Sequence, residues 1–481
     1  MTIKIWSPYI PLQKNYLSQE DSPFHAGLNE NTGIDVRWEW PAPGADGNQA
    51  YNTMLASQDL PDIIYVWDNF NEGPKLLDDG IIITLDDVLP DYAPNYWNYL
   101  QNNPAVDRAV KTDDGNYFTF QSLREDPWLC TYTGPVVRKD WLDEQSLGMP
   151  TTIDEVENVL KVFNEKYGAK FGARPHRFKN ISTLFAGAYG IDPNGYFVDS
   201  EKKVQYGPVQ PEYKEYLKLL NRWYEEGLLD PDFASLDDTI VSTKMLNNEI
   251  GYTVTAMGQL TNWIASNEAA GGTAEFVGAP YPGLEKGKTP PMIQTENMPF
   301  GPGAMITTAC ENVDIAVRFC DYGYSEEGIF YWNYGSEDDT YTLVDGVPTF
   351  TDKILKDPEG LNEAVRKYTG NYGNGLSIQT RGHVQQKNSP EASQAVDVWL
   401  GDIDPYVHWL PQITPTTAEA KEAAEFTGFE AFKDEMYWKF ILGEEDIDAK
   451  WDEYVTTITE TMGQSRVLEL KQIQYDRFMN R

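Results

Sequence analysis

Apolar residues alternate with polar ones over 3–6 and again over 34–40, the period of two expected of strands. Segments 16–31 and 49–58 carry helical spacing, and 63–67 is a short apolar run that reads as a buried strand. Strand, helix, strand, helix, strand predicts right-handed crossovers and a parallel sheet. Ligands bind beyond the carboxyl ends of such strands, so the loops 7–11, 41–48 and 67–71 become the ones to watch.

Farther along, 117–121 and 129–137 read as strands leaving the first sheet. A short helix over 139–147 is closed by Gly148, and Pro150 forbids its continuation. Thr152 and Glu155 then have the spacing of a capping box, with Val156, Val159, Leu160 and Phe163 on one helix face. An extended stretch at 171–175, an amphipathic helix at 211–226, a buried strand at 250–255 and a helix from 257 to 265 follow. The Pro/Gly-rich stretch 280–302 predicts an irregular connection before a strand at 305–308 and a helix at 313–324. The final helices, 446–462 and 467–478, have apolar faces suited to packing on a lobe rather than to a coiled coil.

A chain of 481 residues exceeds what one core usually supports, so two lobes are expected, and 41% hydrophobic residues suffice to fill them. Lys and Arg number 38 against 75 Asp and Glu, a net charge of -37, which disfavours nucleic acid and anionic membrane surfaces as partners. Cys130, Cys310 and Cys320 lack metal-ligand spacing; buried thiols are expected, with a Cys310–Cys320 disulfide as the alternative. The four histidines, His25, His176, His383 and His408, are not spaced as a zinc site. No metal and no cofactor are expected. No apolar run is long enough to span a bilayer.

The strand, helix, Pro-Thr-Thr, helix order of 136–163, reading VVRKDWLDEQSLGMPTTIDEVENVLKVF, resembles the family 1 extracellular solute-binding proteins of carbohydrate ABC transporters. Similar stretches follow in the family's order: Gly33-Ile34-Asp35-Val36 with 51–56 and 60–64, then 220–231, 321–328 with Asn333-Tyr334-Gly335, and 440–445. The resemblance implies an α/β, two-lobed fold of the periplasmic-binding-protein type (type II), with a ligand cleft between hinged lobes. Both lobes would be discontinuous, the first from 1–132 with 303–357 and the second from 133–302 with 358–481. It also implies an exported monomer at the cell surface, held by a lipidated cysteine upstream of Met1, that passes an oligosaccharide to a permease without changing it. No catalytic residue is then needed.

Sugars are held by aromatic faces and by planar polar groups, so ring-bearing loops at the cleft edge are the candidates. Trp67 and Asp68 follow a parallel strand where relatives carry sugar-binding residues, and Tyr9 follows the first strand in the same way. Arg124, Glu125 and Trp128 lie where the chain nears the hinge, with a surface ion pair as the competing role. In relatives the turn after the strand at 250–255 supplies a stacking aromatic; here it holds Met257, Gly258 and Gln259, which shifts the role to Trp263 or removes it. Phe178 and Asn180 occupy a loop resembling another ligand-facing stretch, and Trp409 stands in a C-terminal loop. Core packing competes at each aromatic. A calcium loop carried by many relatives after the capping-box helix is not matched by residues 164–171, and Asp192-Pro193-Asn194-Gly195 comes closest elsewhere.

The rival reading is a secreted glycoside hydrolase, for which Glu125, Asp126 or Asp68 could serve as carboxylates. A receptor for a peptide or another polar solute is a third. The absence of a basic cluster in the candidate loops favours a neutral oligomer, with β-linked xylan or mannan fragments as examples.

Overall fold

The structure, a computed structural model, describes residues 2–8, 22–42, 45–67, 69–174, 184–370, 375–404 and 406–481, with the backbone alone of 69–71. Its strands are β1 (Thr2–Trp6), β2 (Asp35–Glu39), β3 (Ile63–Val66), β4 (Phe120–Arg124), β5 (Thr133–Arg138), β6 (Lys170–Phe171), β7 (Tyr196–Val198), β8 (Val204–Tyr206), β9 (Ile250–Ala256), β10 (Phe276–Gly278), β11 (Pro299–Ile306), β12 (Tyr341–Val344), β13 (Val347–Phe350) and β14 (Ile378–Gln379). Two sheets, each with its own apolar core, make the two lobes.

The first sheet has the order β14-β4-β11-β3-β1-β2. β1 is parallel to β2 and β3, β14 is parallel to β4, and β11 runs antiparallel between β3 and β4. Position in the sheet explains the patterns: edge strand β2 buries little beyond Val36, whereas all four residues of β3, covered on both sides, are buried. β11 bulges between Pro299 and Gly303, and the buried Gln121 amide donates to the freed carbonyls of Phe300 (2.6 Å) and Gly301 (3.0 Å).

The second sheet has the order β10-β5-β9-β6, with β5 antiparallel to both neighbours. Helix Ile153–Tyr167 covers it with Ile153, Val156, Val159, Leu160 and Phe163, all buried. Five such side chains at about 2 kcal/mol each anchor that helix by roughly 10 kcal/mol before entropy is charged. Thr152 does cap the helix through Glu155 N (3.2 Å), but the Glu155 carboxylate reaches Thr151 N (2.8 Å) instead of closing the reciprocal box. Gly134 of β5 lies flat against the Trp399 ring, where a Cβ would come within 2.4 Å of Cγ, so no larger residue fits there.

The chain passes between the sheets after β4, before β11 and after β14. The last passage comes later than the expected crossing at 357/358, because Ile378 and Gln379 still pair with Leu123 and Arg124. β4 itself starts three residues later than expected, and the segment read as a strand from 129 opens as a 3-10 turn, Pro127–Cys130, because the Asp126 carboxylate caps Trp128 N (2.8 Å). The helix expected over 16–31 begins only at Pro23 and runs to Thr32, because Ser22 is extended backbone at its N-cap and Pro23 takes the first helical position; residues 16–21 lie outside the described residues. The three cysteines are buried free thiols, so Cys310 and Cys320 form no disulfide. Helix Gln464–Met479 packs on the second core through Val467, yet Arg477 pairs with Asp113 of the segment entering β4 and, at 2.6 Å, with Glu419. Arg481 adds a second contact to Asp113 at 2.7 Å. No helix among the described residues is long and apolar enough to cross a membrane.

Candidate ligand cleft

The carboxyl ends of β4 and β14 and the start of β11 share one edge of the first sheet, and they face the end of β9 and the start of β5 in the second. Between these edges lies a cavity of about 230 Å³. Arg124, Phe300 and Gln379 line it from the first sheet, Tyr132, Met257 and Gly258 from the second, and Trp128, Lys387 and Asn388 from the connecting segments. That lining combines rings, amides and one hydroxyl, the chemistry suited to a polyhydroxylated guest. A Cβ at Gly258 would meet only Asn388 Oδ1, at 3.8 Å, so the helix that begins there leaves its first turn open to the cavity.

The charged groups are already matched. Arg124, buried, donates to Glu296 Oε2 (2.5 Å) and to the Asn297 carbonyl (2.7 Å), and its guanidinium lies 4.0 Å over the Phe300 ring. Tyr132 OH donates to the other Glu296 oxygen. Arg381 lies 4.6 Å over Trp128 and pairs with Asp397 (2.8 Å), whose same oxygen accepts from Trp128 Nε1 (2.9 Å). Lys387 is half-buried, and loss of solvation pushes its ammonium down to about 8.

Of the residues expected from sequence, Arg124, Trp128 and Met257 line this one cavity. Trp128 is 3% exposed and offers only part of its surface to the cavity. Glu125 is exposed and its carboxylate accepts from Arg381 N (2.8 Å), fixing the helix that follows β14. Gln259 points away to Ser242 Oγ (3.0 Å). Trp263 belongs to the core: it is 1% exposed and packs edge-on to Phe276, because the 257, 260, 263 spacing turns it inward with Leu260. Trp409 donates to the Ile293 carbonyl (3.0 Å) and borders a separate, mostly apolar cavity of about 440 Å³ with Val106, Met298 and Phe478. Trp67 stands at the end of β3, 43% exposed. Tyr9, Asp68, Phe178 and Asn180 lie outside the described residues. Tyr132, Phe300, Gln379, Lys387 and Asn388 were not singled out from sequence; only the Phe-Gly-Pro-Gly run at 300–303, unusual for a strand, marked any of them.

Of the carboxylates nominated for hydrolysis, Asp126 caps Trp128 N and Glu125 holds Arg381 N, and Asp68 lies outside the described residues. Among the described residues there is no group of three or more His, Cys, Asp or Glu that could hold a metal ion.

Comparison with known proteins agrees. The family model for bacterial extracellular solute-binding protein matches residues 14–329. The fructooligosaccharide ABC transporter substrate-binding protein FusA of Streptococcus pneumoniae is 24% identical over 484 residues, covering 94% of this chain and 86% of its own. Two solved structures share the fold over nearly their whole length. One is an HMO-binding, ABC-transporter-associated solute-binding protein from Bifidobacterium longum infantis, at 19% identity, TM-score 0.81 and 99% coverage of both chains. The other is the alginate-binding protein AlgQ2 without calcium ion, at 21% identity, TM-score 0.78 and coverage of 99% and 98%. With the family match spanning well over half its length, this chain belongs to the bacterial extracellular solute-binding proteins, receptors rather than enzymes.

Proposed function

We propose that the chain is the receptor of an ABC importer for a neutral oligosaccharide, closing its two lobes on the ligand and presenting it to the permease. The observation that carries this reading is the cavity between the two sheet edges, lined by Trp128, Tyr132 and Phe300 together with the amides of Gln379 and Asn388. Ligand contacts drawn from both lobes at once are what shift a hinged receptor towards closure. FusA and the Bifidobacterium receptor are described as binding oligosaccharides, in keeping with that chemistry. Neutrality is supported by the pairing of Arg124 with Glu296 and of Arg381 with Asp397.

In the same reading the first lobe comprises 1–132 with 299–380 and the second the remainder, the molecule acts as a monomer, and a lipid anchor holds it at the cell surface. Calcium is not part of it: the segment 164–171 offers too few oxygens for a calcium loop. β-Linked xylan and mannan fragments head the ligands to try. Calorimetry against a panel of neutral, uronate-containing and peptide ligands tests the proposal. Saturable binding of neutral oligomers with no cleavage products is expected; binding only of uronates or peptides, or turnover of any sugar, refutes it.

A further inference from the structure

Lys433, in helix Gly428–Leu442, has a side chain only 6% exposed, although lysine is rarely buried unless firmly paired. Its Nζ lies 2.5 Å from Glu430 Oε2 and 3.5 Å from Asp434 Oδ1, and donates to the Asn194 carbonyl at 3.3 Å. The other Glu430 oxygen accepts from Tyr206 OH (3.2 Å), so that carboxylate is fixed from both sides. Beside it, the Asp192 carboxylate accepts from Asn194 N (2.9 Å) and shapes the turn before β7. Burial pushes Asp192 up to about 6 while the Lys433 charge works against that rise. Carboxylates and a backbone carbonyl converging on one point are the partners of a hard cation, and an ammonium occupies the point.

We propose that Lys433 serves as a built-in cation for the second lobe, tying the Asp192–Gly195 turn to helix Gly428–Leu442 without calcium. The turn begins as a calcium loop does, with Asp192 and Asn194 at its first and third positions, but then departs. Its fifth and sixth positions are Tyr196 and Phe197, and its twelfth, where a bidentate glutamate is needed, is Lys203. A divalent ion would meet too few oxygens along that loop and the ammonium at the convergence. What the ammonium fixes matters for the fold: the Gly207 backbone sits against the Asp192 carbonyl, where a Cβ would come within 1.7 Å, and β7 in turn pairs with β8 and bridges Trp409 through Phe197.

The test uses the full chain and does not depend on the sugar. Melting in EDTA and in millimolar calcium should agree within about a degree, and calcium titration by calorimetry should give no saturable heat. Lys433→Met, which leaves Glu430 without its cation, should melt lower by roughly 3–5 °C, whereas Lys433→Met with Glu430→Gln should recover part of that loss. Saturable calcium binding by the unaltered chain, calcium-dependent melting, or a Lys433→Met variant that melts with the parent overturns the proposal. Should Lys433→Met fail to fold, the calcium and EDTA measurements on the unaltered chain still decide it.

Discussion

Arg124 offers the sharpest separation between a residue that serves the ligand and one that serves the hinge. Arg124→Met keeps the length of the side chain and removes the guanidinium. Three contacts go with it: the bond to Glu296, the bond to the Asn297 carbonyl and the stacking on Phe300. Glu296 is 41% exposed and keeps the Tyr132 hydroxyl, so water recovers much of its share and the pair contributes about 1 kcal/mol. The carbonyl, left unmet, adds about 1 kcal/mol and the ring contact about another, less a few tenths regained by methionine packing. The sum, about 2–3 kcal/mol, should lower the melting temperature by roughly 2–3 °C for a chain of 481 residues that melts as one unit. Urea and thermal unfolding followed by tryptophan fluorescence read it directly, and a cycle with Glu296→Gln should show coupling of about 0.5 kcal/mol or more. If Arg124→Met unfolds with the parent while ligand affinity collapses, the guanidinium belongs to the ligand and the hinge argument fails.

Trp67→Ala should behave in the opposite way, changing stability by less than about 1 kcal/mol because the ring is 43% exposed, while weakening oligosaccharide binding tenfold or more in calorimetry; unchanged affinity removes Trp67 from the site. Acid should weaken the second lobe through Glu157. Burial alone would raise its carboxyl, but bonds from Arg222, Lys161 and Trp223 outweigh that and hold it at about 2, against an ordinary 4.5. A depressed carboxylate stabilises fully above about pH 4.5 and loses that contribution as the pH falls through 2. After discounting for solvent, about 1–2 kcal/mol should vanish over that window. Glu157→Gln should flatten the acid limb of the melting curve, and an unchanged limb would contradict the assignment.

Helix Ile153–Tyr167 was legible because its Thr152 cap and its apolar period are both local. β3 was legible for a similar reason, its apolar run being bounded by turn residues on both sides. β14 was not: two residues become a strand only because β4 lies beside them, and no window of sequence records that. The cleft shows the same division. Arg124, Trp128 and Met257 sit near predicted strand ends and could be nominated, whereas Phe300, Gln379 and Lys387 arrive from segments remote in the chain. Trp263 was misread by weighing its position after β9 above its spacing from Met257 and Leu260, which already pointed it inward. Charge was less informative: at Arg124 and Glu125 an ion pair competed with a ligand role, and the structure sets Glu296 against Arg124 and the Arg381 backbone against Glu125.

The Asp113 carboxylate, with a side chain 1% exposed, is held by Arg477 of a helix rooted in the opposite core and by Arg481 just past that helix's end. Loss of either half would strip the other of these paired charges, so the melting of one half is coupled to that of the other. Despite its two cores, the molecule should absorb heat in a single calorimetric transition, and its halves should share one denaturation midpoint.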